Sequence, residues 1–363
     1  MNYRLTQIQS LVTLTDDKTD VYDIDVKQPI SRITIQLKGT NADSVPDGHP
    51  AKAISKIELV DGSDVLYSMS GEEAQATDFY DTGITPLNVV SYVIANQFTC
   101  LVNMNFGRFL WDTDLALDPT RFDNLQLKIT HKVADTAGSS PTSSTSSITI
   151  YAHVFDEKAA SPRGFLMNKE IYAYTIGASG SYEYITLPTD YPVRRMMVQA
   201  LYVGYETHQI VNEFKISEDN DKRIPYDLKV SDYLKVICPE YGRWQEPIVA
   251  DVTSSAVAHY TAVDYEYSLG HLGTVDSDEN VQLSAYPLGG RMYIIGQTGS
   301  IEVVFTVNGY APHGCVPIWC GDDENIADWY DVTKVGSLKA RLKAGSLGGT
   351  ATARLIVQQF RTY

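Results

Sequence analysis

The chain has 363 residues, 44% of them apolar and 20% charged, which makes it too long for one ordinary hydrophobic core and too apolar for a disordered chain. A formal net charge of −16, with no Lys/Arg-rich run, excludes a surface that grips nucleic acid through its phosphates. Four cysteines are too few for a disulfide framework, and no apolar run is long enough to span a bilayer as a helix.

The opening M-N-Y-R-L-T-Q-I-Q-S-L lacks a signal-peptide apolar core, and no N-x-Ser/Thr acceptor occurs in the chain. Both features fit synthesis and folding in a reducing host cytoplasm. Short alternating apolar runs then recur at 21–26, 30–37, 54–60, 65–69, 93–104, 125–133 and 148–155, the pattern of half-buried strands. Turn signals separate them at 46–48, at Asp61-Gly62 and in the Ser/Thr-rich tract 136–147, which reads as a long hairpin loop. One stretch, 71–80, reads as a short helix with acidic residues in its first turn. Residues 156–168, with Pro162 and Gly164 and no alternation, mark a boundary. Beyond it the strand pattern resumes at 171–175, 182–187, 193–203, 211–216, 257–267, 291–295, 301–307, 338–342 and 353–360, with a second short helix at 226–234. The 24 tyrosines and frequent Thr suit pleated, half-buried surfaces.

The second half repeats the first. Residues 29–36 read P-I-S-R-I-T-I-Q, and 192–199 read P-V-R-R-M-M-V-Q. Residues 118–128, D-P-T-R-F-D-N-L-Q-L-K, match 331–341, D-V-T-K-V-G-S-L-K-A-R, each with a Leu seven positions after the Asp. The last two strands of each half flank a small-residue loop, 136–147 in one and 345–350 in the other, and each half ends a strand in Phe, at Phe155 and Phe360. Matches in the same order indicate a duplicated β unit. Their spacing grows from 163 between the Pro pair to 213 between the Asp pair, so the second copy carries longer insertions, between 238 and 330.

Chemistry-bearing patterns are sparse. His313, Cys315 and Cys320 could offer three soft ligands, but the spacing matches no common zinc pattern and reads as a loop with two free thiols. The remaining histidines, His49, His131, His153, His208, His259 and His271, are scattered. Acidic clusters at 16–25, 218–221, 276–279 and 322–324 lack the spacing of a calcium loop. No G-x-S-x-G elbow, H-E-x-x-H helix or phosphate cradle occurs. Trp111, Trp244, Trp319 and Trp329 suit packing under loops or at a subunit contact as well as ligand stacking. No catalytic, cofactor-binding or metal residue is assigned, and no cofactor is expected.

The texture of S-R-I-T-I-Q-L-K-G (31–39), K-I-E-L-V-D-G-S-D-V-L-Y-S-M-S-G-E-E (56–73), N-F-G-R (105–108) and L-A-L-D-P-T-R-F (115–122) resembles the double jelly-roll major capsid proteins of tailless icosahedral viruses. It is most similar to those of bacterial viruses with an internal membrane. The resemblance implies an all-β fold of two tandem eight-stranded jelly-roll β-sandwiches with short helices in loops: an N-terminal roll over 1–160 and a C-terminal roll, with longer insertions, over 161–363. It implies a non-enzymatic subunit of the virion capsid that forms pseudo-hexagonal homotrimers and tiles a shell by lateral contacts. Implied partners are its own copies, vertex (penton) and minor capsid proteins and an internal membrane surface, with no sequence-specific nucleic acid. Residues 1–10 and 238–330 are the expected latches onto neighbours. The alternatives are another virion spike, fibre or sugar-binding β-protein, and a hydrolase built on paired jelly rolls.

Overall fold

The computed structural model describes residues 2–15, 17–41, 48–133, 145–156, 160–252, 256–259, 261–274, 281–284, 289–296, 301–347, 349 and 351–363. From the N-terminus run β1 (Tyr3–Leu14), β2 (Lys18–Asp23), β3 (Ile30–Thr40), β4 (Ile54–Asp61), β5 (Asp64–Met69), α1 (Gly71–Thr82), β6 (Val90–Tyr92), β7 (Gln97–Asn105), β8 (Leu125–His131) and β9 (Ser146–Phe155). Four strands pair in the order β1-β9-β3-β7 and four in the order β2-β8-β4-β5. Apart from the β4-β5 hairpin, successive strands of these arrays alternate between the two, which is the wrapping of a jelly roll. Alternation drives it: Ile33, Ile35 and Leu37 of β3 and Leu127 and Ile129 of β8 are fully buried and share one core. Each such side chain contributes about 1.5–3 kcal/mol by leaving water.

The second half continues with β10 (Gly164–Thr175), β11 (Tyr182–Leu187), β12 (Val193–Leu201), α2 (Thr207–Ile210), β13 (Val211–Glu218), β14 (Arg223–Lys229), α3 (Val230–Tyr241), β15 (Trp244–Val252), β16 (Ala256–His259), β17 (Ala262–Thr274), β18 (Val281–Ser284), β19 (Arg291–Gly296), β20 (Ile301–Pro312), β21 (Cys315–Trp319), β22 (Leu338–Ala344) and β23 (Thr352–Thr362). Its roll has the same strand order, β10-β23-β12-β21 and β11-β22-β13-β14. The insertion between α3 and β21 builds two further sheets, β16-β19-β18 and β17-β20-β15-β6, the latter completed by β6 of the first half. The two rolls share an eight-stranded sheet, because edge strand β5 of the first runs parallel to β10 of the second, with Ser68 beside Lys169.

The duplication extends to individual hydrogen bonds. Phe155 N donates to Pro29 O at 3.0 Å, and Phe360 N donates to Pro192 O at 2.9 Å. Ile30 bridges Leu117 as Val193 bridges Tyr330. Register shifts recur at Ile30/Arg32 and Val193/Arg195, and again at Gln7/Gln9 and Glu170/Tyr172. Asp118 and Asp331 each cap a 3₁₀ turn, accepting from Thr120 N and Thr333 N. Gly107 and Gly321 hold equivalent places after β7 and β21. A Cβ there would lie 2.6 Å from Leu115 O and 2.2 Å from Asp328 O respectively. Both sequence matches therefore fall on structurally equivalent segments.

Several boundaries differ from the sequence expectation. The second helix starts at Val230, not 226, and 223–229 is strand β14. The expected strand at 93–104 begins at 97, after a turn in which Ala95 has φ 58°. The expected strand at 257–267 divides into β16 and β17. Residues 164–168, placed in the boundary, belong to β10. They are buried on both faces, so they show no alternation. Residues 3–10 of the expected N-terminal latch lie in edge strand β1, paired with β9. Residues 136–144 of the Ser/Thr tract, acidic residues 276–279, Asp16, the 46–47 turn positions and 157–159 of the boundary lie outside the described residues.

Candidate functional site

Helix α1 sits at the junction of the two rolls. Ser70 caps it in a capping box with Glu73, and Gly83 closes it in the left-handed conformation at φ 68°. Nine of its twelve residues are buried, which an amphipathic surface helix would not allow. One side meets its own roll: Asp78 accepts from Asn103 and Asn105 at 2.8 Å and lies 3.5 Å from Arg32 of β3. The other side meets the second roll. Asp81 accepts from Arg194 Nη1 at 2.5 Å and Arg195 Nη1 at 2.9 Å, Tyr80 OH donates to Cys315 O at 2.7 Å, and Thr77 approaches Met197. Arg195 is also bound by Asp323. Burial would lower the Arg195 pKa, but these anionic partners outweigh it and hold it above the ordinary value.

A second buried seam ties the first roll to the inserted sheets. Glu246 of β15 accepts from His49 Nε2 at 2.9 Å, Asn88 Nδ2 at 3.1 Å and Thr261 Oγ1 at 2.5 Å. His313 Nε2 donates to Gln75 Oε1 of α1 at 2.9 Å, and its ring lies 5.0 Å from that of His49. Burial would raise the Glu246 carboxyl, yet His49 and the hydroxyl and amide donors hold it below the usual range. Burial and His49 push the His313 pKa well down, so the ring stays neutral. Sequence spacing gave no sign of this meeting of residues far apart in the chain.

Glu73 yields a testable pH effect. Burial, with neighbouring Glu170 adding to it, pushes its carboxyl up to about 7. A carboxyl raised in the folded state lends stability that is complete below the unfolded value of about 4.3 and lost as pH rises through 7. Glu73→Gln keeps an acceptor for Ser70 N without the charge. Its melting temperature relative to the parent is expected to rise between pH 4.5 and 8, as scanning calorimetry across that range would record; a pH-independent difference would refute the assignment.

Most of the residues singled out by chemistry are buried or paired within the chain. His313, Cys315 and Cys320 are all buried, and burial pushes both thiols up, so neither is a thiolate. Among the described residues no group of three His, Cys, Asp or Glu side chains is placed to hold a metal ion. His131 pairs with Asp20 at 3.0 Å, and His153 packs on Trp111. In the acidic clusters Glu218 binds Arg223, Asp221 binds Lys215 and Asp219 accepts from Ser337 N. Trp244 and Trp329 are buried and Trp111 stacks on Tyr3 at 4.4 Å, leaving Trp319 as the exposed indole. Trp319, Tyr226, Met196 and Arg223 line a cavity of about 350 Å³ in the second roll. No helix among the described residues is long and apolar enough to cross a membrane.

What remains exposed is apolar surface on edges and loops. Leu5 and Leu11 project from β1, Ile224 and Leu228 from β14, Val236 from α3, and Ile84 and Leu87 from the loop after α1. Edge strands with apolar side chains are templates for another chain.

No protein-family model and no curated protein matches the sequence. Solved structures do match. The major capsid protein P2 of bacteriophage PM2 aligns over 99% of this chain and 98% of its own, at 9% identity and a TM-score of 0.55. The major capsid protein of STIV aligns over 100% and 97%, at 13% identity and 0.59. VP54 of PBCV-1, fitted into a reconstruction of the virophage Sputnik, aligns over 99% and 94%, at 11% identity and 0.57. The chain has the double jelly-roll fold of these proteins.

Proposed function

We propose that the chain is a major capsid protein, a structural subunit of a virion shell and not an enzyme. The observation that supports this most directly is the full-length likeness to the shell proteins of PM2 and STIV, with two rolls of identical strand order. The rolls are assigned to 1–160 and 161–363. Three such chains present six similar rolls, so a trimer takes a nearly hexagonal outline and can tile an icosahedral shell. Function is then geometric, and no catalytic, metal or cofactor residue is assigned. Partners are the protein's own copies, first in the homotrimer and then laterally, together with vertex and minor capsid proteins and an internal membrane surface. The charge of −16 favours a shell that encloses a genome without gripping it. Light scattering coupled to size exclusion is expected to show trimers or larger particles, with six-lobed outlines by electron microscopy. A monomer that persists at high concentration would overturn the reading.

A further inference from the structure

We propose that neighbouring copies meet by repeating the chain's own inter-roll contact: β14 and α3 of one copy dock on β1 and on the outer face of the β1-β9-β3-β7 sheet of the next. The inference rests on the capsid reading and specifies its trimer contact.

Within the chain, the first roll offers β5 and α1 to the second. Strand β5 lies parallel to β10, and α1 covers β12 and β21. The second roll owns the counterparts of the offering elements, and the first roll owns the counterparts of the receiving ones. Hydrogen-bond register identifies them residue by residue. Tyr67 faces Leu59 as Tyr226 faces Ile216, so Ser68 corresponds to Asp227. The helix caps Ser70 and Lys229 then coincide, and with them Thr77 with Val236 and Asp81 with Glu240. Tyr3 faces Phe155 as Leu166 faces Phe360, so Thr6 corresponds to Lys169. Arg32 corresponds to Arg195 through the shared bulge.

On the helices the intrachain members of these pairs are covered and their counterparts on α3 are exposed. Thr77 is buried while Val236 is 72% exposed, and the Asp81 side chain is wholly buried while Glu240 is exposed. Strands β1 and β14 are terminal in their sheets, whereas β5 and β10 complete each other. Leu5 and Leu11 on one edge, and Ile224 and Leu228 on the other, remain in water. Charge is complementary as well. Glu240 would face Arg32, which its own chain holds through Asp78 and Asn105, as Asp81 faces Arg195, held by Asp323. Both halves of the contact lie on one chain and differ from each other. The association is therefore head to tail, and in the trimer of the capsid reading three such contacts join the three copies. The occupant is a second copy.

The expected geometry places Asp227 beside Thr6 of the next copy, as Ser68 lies beside Lys169, and adjacent parallel strands bring Cα atoms within disulfide reach. In the full-length double variant Thr6→Cys/Asp227→Cys, mild oxidation is expected to give covalent dimers and trimers on non-reducing gels. Either single variant should give neither, since the four native cysteines are buried. Trimers by light scattering with no cross-link would overturn the proposed contact and leave the capsid reading standing, whereas a monomeric parent protein would overturn both. Glu240→Arg, an exposed change whose fold circular dichroism would verify, sets like charge against Arg32. It is expected to shift the trimer toward monomer by roughly tenfold or more, and an unchanged equilibrium would also count against the contact.

Discussion

Replacing Asp81 by alanine is expected to destabilise the protein by about 3–5 kcal/mol, because it strands buried positive charge. The Asp81 side chain has no solvent exposure and binds both Arg194 and Arg195, each 1% exposed. Gln358 Nε2 donates to the same carboxylate at 3.3 Å. Guanidinium groups cannot shed their protons at accessible pH, so they cannot adapt by neutralising. Arg195 would keep Asp323 and the Tyr80 carbonyl, and Arg194 would keep Gln358 and the Asp323 carbonyl. The loss falls at the junction of the rolls, where no water reaches. Removing the whole group, as Asp81→Leu/Arg194→Met/Arg195→Met, should recover much of the loss, since a buried ion pair is stabilising mainly relative to its broken form. Urea unfolding of the three proteins distinguishes these cases; an alanine variant within about 1 kcal/mol of the parent would show the network to be incidental.

Trp244→Ala carries the second large effect, about 3–5 kcal/mol from lost burial and the cavity left behind. Trp244 is fully buried at the head of β15, with its ring 5.5 Å from Phe79 of α1 and 5.9 Å from His313. It clamps the inserted sheets onto the same helix that joins the rolls. Thermal unfolding should show a fall of several degrees, against a smaller fall for Trp319→Ala, whose residue is 36% exposed. Equal shifts in the two variants would mean that the insertion is not anchored there.

Much of the architecture was legible because local geometry demanded particular residues twice. Pro29 and Pro192 precede bulged strands, and Asp118 and Asp331 cap the turns that lead into β8 and β22, so those types recur at matched places. Among the strands that escaped detection, with β6, β15, β18 and β21, are three where alternation fails. Strands β1 and β14 are edges with much of both faces in water, and the start of β10 is enclosed on both faces. Tyr226 follows Pro225, a residue that suits a helix start, so the sequence pattern begins the second helix too early, while register keeps Tyr226 in a strand opposite Ile216. The junction itself was hidden, since its partners lie over a hundred residues apart. One clue stood in plain view: Arg194-Arg195 interrupts an otherwise apolar strand, and buried charge demands a partner. His313, Cys315 and Cys320 illustrate the reverse, chemistry-bearing types close in sequence that the fold buries apart, His313 on Gln75 and the two thiols in different cores.

The position of α1 also sets a timetable. A ribosome that has completed β9 has released every strand of the first roll and the helix at its flank, but not β12 or β21, which cover that helix from the far side. Until those later segments emerge, Tyr80 and Asp81 lack their partners on the second roll. Between the completion of β9 and that of β21 the nascent chain is therefore a sticky half-product, and its maturation awaits β21.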